Sequence, residues 1–269
     1  MSGPGSRTRV IALLGDPVGH SLSPLMQNAA FRAAGLDAVY VALPCVAEDL
    51  PGVMRTLVRQ GGGGNVTIPH KARAAEVGSP DPRVARAGVA NVFGGGPEGV
   101  HVGNTDVDGI RATVDRLGAG LSRWIVLGTG GSARAVGLAA AEHGAALAVR
   151  SRSAERGAAF EAWLRTLGVE VIDPTDAELL LNATPVGLAA DDPIPGDVGT
   201  LPALRAVIDL TYRQVGRTPL VEWATGRGLL ASDGREMLLI QGAAAWHWWF
   251  PGVTPPTEVM RAALEGRLG

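Results

Sequence analysis

One lysine, Lys71, stands among 24 basic side chains; the other 23 are arginine. Arginine stays protonated at any working pH, whereas a lysine can be tuned to exchange a proton. A chain that writes its positive charge as arginine and keeps one lysine therefore marks position 71 as a candidate for proton transfer. A compositional drift toward Ala, Gly and Arg that spared one lysine would give the same count, so the rest of the chain has to decide. Cysteine is as scarce: Cys45 is alone, which excludes an intramolecular disulfide framework and any multi-cysteine metal site, and it reads as a structural, partly buried thiol. The five histidines, His20, His70, His101, His143 and His247, have no metal-ligand spacing, and no metal is assigned. Net charge is only −2, so no bulk field favours nucleic acid or an anionic membrane. No apolar run approaches the roughly 20 residues of a membrane span, and no signal-peptide core precedes Gly15 and Asp16. The expectation is a soluble cytoplasmic protein with a small-molecule partner, a floppy tail at residues 1–7 and no internal repeats.

What is present alternates between strand and helix. Residues 9–14 form an apolar run ending at Gly15, a buried strand. Ser23-Pro24 predicts a helix start, Ser as N-cap and Pro in the first turn, running to about Ala34. Ser21 and Ser23 thus fall where a strand ends and a helix begins, a place that favours an anionic group; plain capping is the competing reading. Residues 38–43 make a second strand, and Leu50, Val53, Met54, Leu57 and Val58 repeat at helical spacing up to Gly61. The stretch Gly64-Asn65-Val66-Thr67-Ile68-Pro69-His70-Lys71 begins as a strand, breaks at Pro69 and puts Lys71 in the first turn of a helix. Two βαβ units imply a parallel sheet with its functional loops at the strand C-termini, so Ser21, Ser23 and Lys71 should share one rim. Asp81-Pro82 predicts another helix start, and residues 89–93 and 100–102 two short strands around a glycine-rich turn. Gly103-Asn104-Thr105-Asp106 leads into a helix over 106–117, where Asp106 either serves the helix dipole or takes part in chemistry.

Residues 123–127 are an apolar strand followed by Gly128-Thr129-Gly130-Gly131-Ser132-Ala133. This matches G-x-G-x-x-[G/A] between a strand and a helix, with another strand at 145–149. An NAD site would carry an acid at the end of that second strand. This chain has Arg150-Ser151-Arg152-Ser153-Ala154-Glu155-Arg156 there. Three arginines with hydroxyls suit a 2′-phosphate, and the cofactor is read as NADP(H). Strands at 178–182 and 206–209 end in Asn182-Ala183-Thr184-Pro185-Val186-Gly187 and Leu210-Thr211-Tyr212, where a nicotinamide would sit. Residues 187–201 read as a surface loop, 229–231 as a last strand before Asp233-Gly234, 237–249 as one helix carrying Gln241, and 257–268 as a closing helix. Trp246, Trp248 and Trp249 read as packing or domain-contact residues rather than a binding platform.

These segments together resemble the shikimate dehydrogenase family over essentially the whole chain: Gly-Asp-Pro-Val-Gly-His-Ser-Leu-Ser-Pro, Asn-Val-Thr-Ile-Pro-His-Lys, Gly-Asn-Thr-Asp, the Gly128 fingerprint, Asn-Ala-Thr-Pro-Val-Gly and Gln241-Gly242-Ala243. The resemblance implies an α/β fold of two α/β domains around a cleft. A mostly parallel substrate-binding sheet would span 1–105, completed by C-terminal helices at 236–269. A Rossmann-like NADP-binding domain would span 106–235. It implies reversible NADPH-dependent reduction of 3-dehydroshikimate to shikimate, with Lys71 and Asp106 as the catalytic pair. Ser21 and Ser23 would hold the substrate carboxylate, and Thr67, Asn91, Asp106, Tyr212 and Gln241 would contact the ring and its hydroxyls. Gly128, Thr129, Gly130, Gly131, Ser132 and Ala133, with Ser151, Arg152, Ser153 and Arg156, would bind NADP(H), and Leu210 and Gly234 would make backbone contacts near the nicotinamide. The chain departs from the family pattern at Gln27, where His is common, at Asn91-Val92 for Asn-Thr, and at Ser151-Arg152-Ser153 for Asn-Arg-Thr. A quinate or aminoshikimate dehydrogenase, a non-catalytic NADP- or shikimate-binding regulator, and a monomer or a homodimer all remain open at this stage.

Overall fold

The structure, a computed structural model, describes residues 5–118, 120–189, 191–196 and 198–266. Of the expected N-terminal tail, residues 1–4 lie outside the described residues. Gly5 is held, its N–H donating to Thr8 Oγ1 at 2.8 Å, while the Thr8 hydroxyl donates to Asp37. The chain divides into two compact units. One joins Met1–Thr105 to Leu239–Gly269, and the other is Asp106–Leu238. No helix among the described residues is long and apolar enough to cross a membrane.

The first unit is built from β1 (Arg9–Gly15), α1 (Ser23–Ala33), β2 (Ala38–Pro44), α2 (Leu50–Arg59), β3 (Gly63–Val66), α3 (Lys71–Ala75), β4 (Ser79–Pro80), α4 (Pro82–Ala87), β5 (Val92–Gly96) and β6 (Gly99–Gly103). Its sheet runs β2-β1-β3-β5-β6-β4. β1 pairs parallel with β2 and β3, because helices α1 and α2 cross over between them. The glycine-rich turn at 96–99 makes β5 and β6 an antiparallel hairpin, and β5 is antiparallel to β3, so the sheet is mixed. Leu50, Met54 and Leu57 of α2 pack with Ala12, Leu14, Phe93 and Val102 on one face.

Trp246, Trp249, Phe250 and Met260, from the C-terminal part of this unit, are buried together with Met26 and Phe31 of α1. Phe31 meets the rings of Trp246 and Phe250 with centroids 5.4 Å away in both cases. Trp249 donates its indole N–H to the Phe93 carbonyl at 3.1 Å. Large aromatics of this kind dominate core energetics, which accounts for the C-terminal segment docking on the N-terminal sheet. These tryptophans pack within the first unit; Trp248 stacks on His101 with centroids 4.8 Å apart.

The second unit contains α5 (Asp106–Leu117), β7 (Arg123–Leu127), α6 (Gly131–His143), β8 (Ala146–Arg150), α7 (Ala154–Thr166), β9 (Leu179–Asn182), β10 (Ala206–Asp209), α8 (Pro219–Thr225) and β11 (Leu230–Ser232). Its sheet, ordered β11-β10-β9-β7-β8, is parallel throughout. The order reverses between β7 and β9, and ligands of open α/β sheets bind at such a switch point, beyond the strand C-termini.

Several local expectations need correction. Ser23 is the first helical residue of α1 rather than its cap. Leu22 occupies the cap position and no side chain caps the helix. The helix expected over 237–249 is two: α9 (Gly234–Ala244) and the single turn α10 (Trp246–Trp249). It starts three residues early because Asp233 Oδ1 accepts the Arg235 N–H at 3.0 Å. The surface loop at 187–201 is anchored at its end, where Val198 and Leu201 are buried in the core of the second unit. The last helix, α11, covers Thr257–Glu265, and the expected end at Leu268 lies outside the described residues.

Two glycines of the first unit should respond oppositely to the same change. A Cβ at Gly64 would come within 2.0 Å of the Ala12 carbonyl oxygen and 2.8 Å of the Phe93 ring, whereas one at Gly52 meets nothing within 4 Å. Gly64→Ala is expected to cost about 1–3 kcal/mol or more through overpacking. Gly52→Ala, in the exposed first turns of α2, is expected to stabilise by about 0.4–1 kcal/mol. Urea melts of the two variants give both signs.

Candidate functional site

Lys71 opens α3 and is only 8% exposed. Its approach is fixed from four sides by backbone hydrogen bonds. Thr67 N–H donates to Leu14 O at 2.9 Å, Asp16 N–H to Ile68 O at 3.0 Å, His70 N–H to Thr67 O at 2.8 Å, and Ala90 N–H to Lys71 O at 2.9 Å. The buried His70 ring donates through Nε2 to the Cys45 carbonyl, which settles its tautomer. The strand–turn–helix of residues 63–75 is therefore locked to the ends of β1 and β2 and to the residue before Asn91. Ser21 and Ser23 stand in the loop after β1, as expected. Ser21 Oγ accepts the Ser23 N–H at 3.2 Å, and Ser23 is buried.

Asn91 is the hub of the polar network in this unit. Its Oδ1 accepts the Thr105 N–H at 2.7 Å, and its Nδ2 donates to Thr105 Oγ1 at 3.0 Å and to Gln241 Oε1 at 3.3 Å. Asn65 donates to the Asn91 carbonyl at 3.1 Å and accepts the Tyr40 hydroxyl at 2.8 Å. Of the residues assigned from sequence, Asn91 and Gln241 are thus directly joined, and Asp106, 4% exposed, follows Thr105 in the chain at the start of α5. Thr67 lies between β3 and α3, its methyl 2.4 Å from where a Cβ on Gly15 would stand.

In the second unit the fingerprint follows β7. Gly128 has φ of +101°, a conformation that strongly favours glycine. A Cβ there would lie 3.2 Å from the Ala183 carbonyl oxygen and 3.3 Å from the Thr184 methyl. Gly130 precedes α6 with no side-chain cap, and a Cβ there would meet nothing within 4 Å. Thr129, Gly131 and Ser132 are half-buried beside it and Ala133 is fully buried, the packing role its small size allows. The open space over Gly130, at the N-terminus of a 13-residue helix, fits a pyrophosphate, which needs close backbone approach and free N–H groups.

At the end of β8, Ser151 Oγ accepts the Ser153 N–H and Ser153 Oγ accepts the Arg156 N–H, both at 3.2 Å. Arg152 and Arg156 are exposed at the start of α7. Arg150, the third arginine of this stretch, donates to Thr200 Oγ1 at 2.9 Å. Leu210 follows β10, and the Gly234 N–H donates to Thr211 O at 2.9 Å. Tyr212 is half-buried in the same segment.

Sequence reasoning passed over Gln27, Asn65, His70 and Thr105 as structural partners, and over Asp209. Gln27 is fully buried, donating to Gly242 O at 3.0 Å and accepting the Trp246 indole N–H at 2.8 Å. Asn65 and Asp209 had a visible signal: each is a polar residue at or near the end of a buried strand. Among the described residues, no cluster of His, Cys, Asp and Glu is placed to hold a metal ion.

One unit with a parallel open sheet and a glycine fingerprint at its switch point, and another α/β unit carrying a buried lysine, define a Rossmann-like dinucleotide-dependent oxidoreductase. The sequence profile described as "Shikimate dehydrogenase substrate binding domain" matches residues 13–93, and "Shikimate 5'-dehydrogenase C-terminal domain" matches 234–265. "Shikimate dehydrogenase (NADP(+))" of Synechococcus sp. is 39% identical, over 97% of this chain and 94% of its own. The protein of the same name from Halobacterium salinarum is 37% identical, over 96% and 99%. The crystal structure of shikimate 5-dehydrogenase from Thermus thermophilus in complex with NADP(H) and shikimate is 33% identical, with a TM-score of 0.83 over 96% of this chain and 99% of that one. The chain belongs to the shikimate dehydrogenase family.

Gly130→Ala should leave the urea midpoint of unfolding close to that of the parent and weaken NADPH binding tenfold or more, because the added methyl occupies the space the pyrophosphate needs. Gly128→Ala should lower both, its positive φ adding about 1–2 kcal/mol of strain. Fluorescence titration with NADPH, paired with urea melts, separates the two effects.

Proposed function

We propose that the chain is a reversible, NADP-dependent shikimate dehydrogenase in which Lys71 and Asp106 form the proton-transfer pair. The observation that carries this reading is the setting of the sole lysine: buried, at the start of a short helix, on a backbone tied to the end of β1 and to Ala90. Family membership supplies the substrate class, and the relatives' names supply the cofactor. In this reading the unit holding residues 5–105 binds the substrate and the unit holding 106–238 binds the cofactor. Both ligands are soluble metabolites, and the enzyme is taken to act in the cytoplasm, as a monomer or homodimer.

When bound, NADPH supplies a hydride to the C3 carbonyl of 3-dehydroshikimate. The Lys71 ammonium gives a proton to the oxygen as negative charge develops there, and in the oxidation direction the neutral amine takes the hydroxyl proton. Asp106 accepts a hydrogen bond from the same substrate region and orients the lysine. Ser21 and Ser23 hold the carboxylate. Thr67, Asn91, Tyr212 and Gln241 read the hydroxyl pattern, with Asn91 and Gln241 acting together through their shared hydrogen bond. The residues Gly128, Thr129, Gly130, Gly131, Ser132 and Ala133 approach the pyrophosphate. Ser151, Arg152, Ser153 and Arg156 take the 2′-phosphate, while Leu210 and Gly234 offer backbone beside the nicotinamide.

Loss of a positioned acid or base typically costs about 10²–10⁴ in rate. Lys71→Ala should fall by that much in kcat with much less change in KM. Lys71→Arg should not recover it, since arginine keeps the charge without releasing a proton. Near-normal turnover by Lys71→Arg would sink proton transfer by this residue. Arg152→Ala should weaken NADPH about 10–100-fold, the worth of one hydrogen bond to a charged group, and leave NADH nearly unchanged. Reduction of NADP⁺ with shikimate, followed by absorbance and repeated with quinate and with NAD⁺, tests the activity itself. A faster reaction with quinate would shift the assignment within the family, and no reaction with either acid would favour a binding protein.

A further inference from the structure

The carboxyl edge of the second sheet converges on one acid that the mechanism does not use. Asp209 ends β10, directly opposite Asn182 at the end of β9, which in turn lies opposite Leu127 at the end of β7. Its side chain is fully buried. Oδ1 accepts three hydrogen bonds: from Asn182 Nδ2 at 2.8 Å, from the Thr211 hydroxyl at 2.8 Å and from the Thr211 N–H at 3.1 Å. Asn182 passes the constraint on. Its Nδ2 also donates to Val186 O at 3.0 Å, and its Oδ1 accepts the Thr184 hydroxyl at 2.7 Å and the Thr184 N–H at 3.1 Å. Thr184 is the residue whose methyl abuts the Gly128 turn. On the other side, the carbonyl of Thr211 accepts the Gly234 N–H. A Cβ on Gly234 would press within 2.6 Å of the Leu210 carbonyl oxygen.

One carboxyl therefore sets three segments side by side: the fingerprint turn, the 182–187 loop and the 210–211 backbone with Gly234. We propose that Asp209 is the positioning residue for the nicotinamide half of the cofactor site, holding the 182–187 and 210–211 segments in register through Asn182 and Thr211. The inference rests on the functional reading above and deepens it, since neither Asp209 nor Asn182 is given any role there. A buried carboxyl is an expensive way to tie two loops together, because desolvation disfavours its charge. Burial indeed pushes its pKa up, against the hydrogen bonds from Thr218, Thr211 and Asn182 that favour the carboxylate. Oδ2 and the neighbouring Thr218 hydroxyl are buried without a well-aligned hydrogen bond. An amide at position 209 keeps the accepting oxygen toward Asn182 and Thr211 and turns an N–H₂ toward Thr218, so the conservative variant should restore the geometry.

The test compares two probes, NADPH and adenosine 2′,5′-bisphosphate, which carries only the adenine half and its 2′-phosphate. Asp209→Ala should weaken NADPH tenfold or more while binding the bisphosphate within threefold of the parent. Asp209→Asn should bind both within threefold. Thr211→Val, which removes one donor and keeps the side-chain volume, should weaken NADPH by threefold or more with the bisphosphate unchanged. It decides the matter together with Asp209→Asn should Asp209→Ala fail to fold. Equal losses for the two probes, unchanged NADPH affinity in Asp209→Ala or Thr211→Val, or an Asn variant as impaired as the Ala variant would each overturn the proposal. A parent protein that binds neither probe would overturn the functional reading and this inference with it. A parent that binds both, with variants that do the same, would overturn the inference alone.

Discussion

Buried side-chain amides and carboxyls at or near strand ends hold the candidate site together. A strand in a sheet satisfies its own backbone, but the chain entering or leaving it does not, and polar groups stranded there must find partners. In the first unit Asn65 and Asn91 take this work. Asn65 reaches the Asn91 carbonyl, and Asn91 reaches Thr105 and Gln241. In the second unit Asn182 and Asp209 do the same for Thr184, Val186 and Thr211. Each such bond is worth only about 1 kcal/mol net, but leaving one partner buried and unpaired costs about 1–3 kcal/mol. The loops at these strand ends are thereby confined to a narrow range of geometries.

The same constraint shapes where the chain passes between its units. It does so once after Thr105 and once inside α9, between Leu238 and Leu239. Thr105 is clamped by both heteroatoms of Asn91, and Gln241, three residues after Leu238, accepts from the same amide. Both connections are therefore pinned to one side chain on the substrate side of the reading. A change at Asn91 would be felt at both connections at once.

Much of this was legible in the residues. The strand–fingerprint–helix at 123–143 declared itself because its glycines answer local demands: a positive φ at Gly128 and open space at Gly130 are properties of a few consecutive residues. Most strand cores were readable for the same reason. What escaped notice depends on partners far along the chain. Gln27 looks like one polar position on an amphipathic helix until Trp246, 219 residues later, donates to it. Val198 and Leu201 sit in a polar, proline-rich stretch, and only the tertiary core shows why two of its apolar residues are spent there. The serine at 23 missed its expected capping role because the helix begins one residue earlier than expected, with Leu22 at the cap position, and the Ser23 N–H is taken by the hydroxyl of Ser21. Arg150 is set apart from Arg152 and Arg156 by its hydrogen bond to Thr200, a partner 50 residues away that spacing could not show.

The lone lysine gains its meaning from what surrounds its backbone rather than from its rarity. A lysine side chain has four rotatable carbons and one point charge, so by itself it is poorly suited to hold a proton at a defined atom. Here the flexible arm is mounted on a fixed base. Pro69 and the buried His70 close the turn from β3, the Cys45 carbonyl holds the imidazole, and Ala90 holds the Lys71 carbonyl. Strands β1 and β2 and the segment leading into Asn91 all contribute to that base. Precision that arginine would bring through a rigid fork is supplied instead by the main chain, while the terminal amine keeps the ability to exchange a proton that arginine lacks. An all-arginine chain could reproduce every other positive charge in this protein, but not a buried primary amine on a fixed platform, which is what the proposed proton transfer requires.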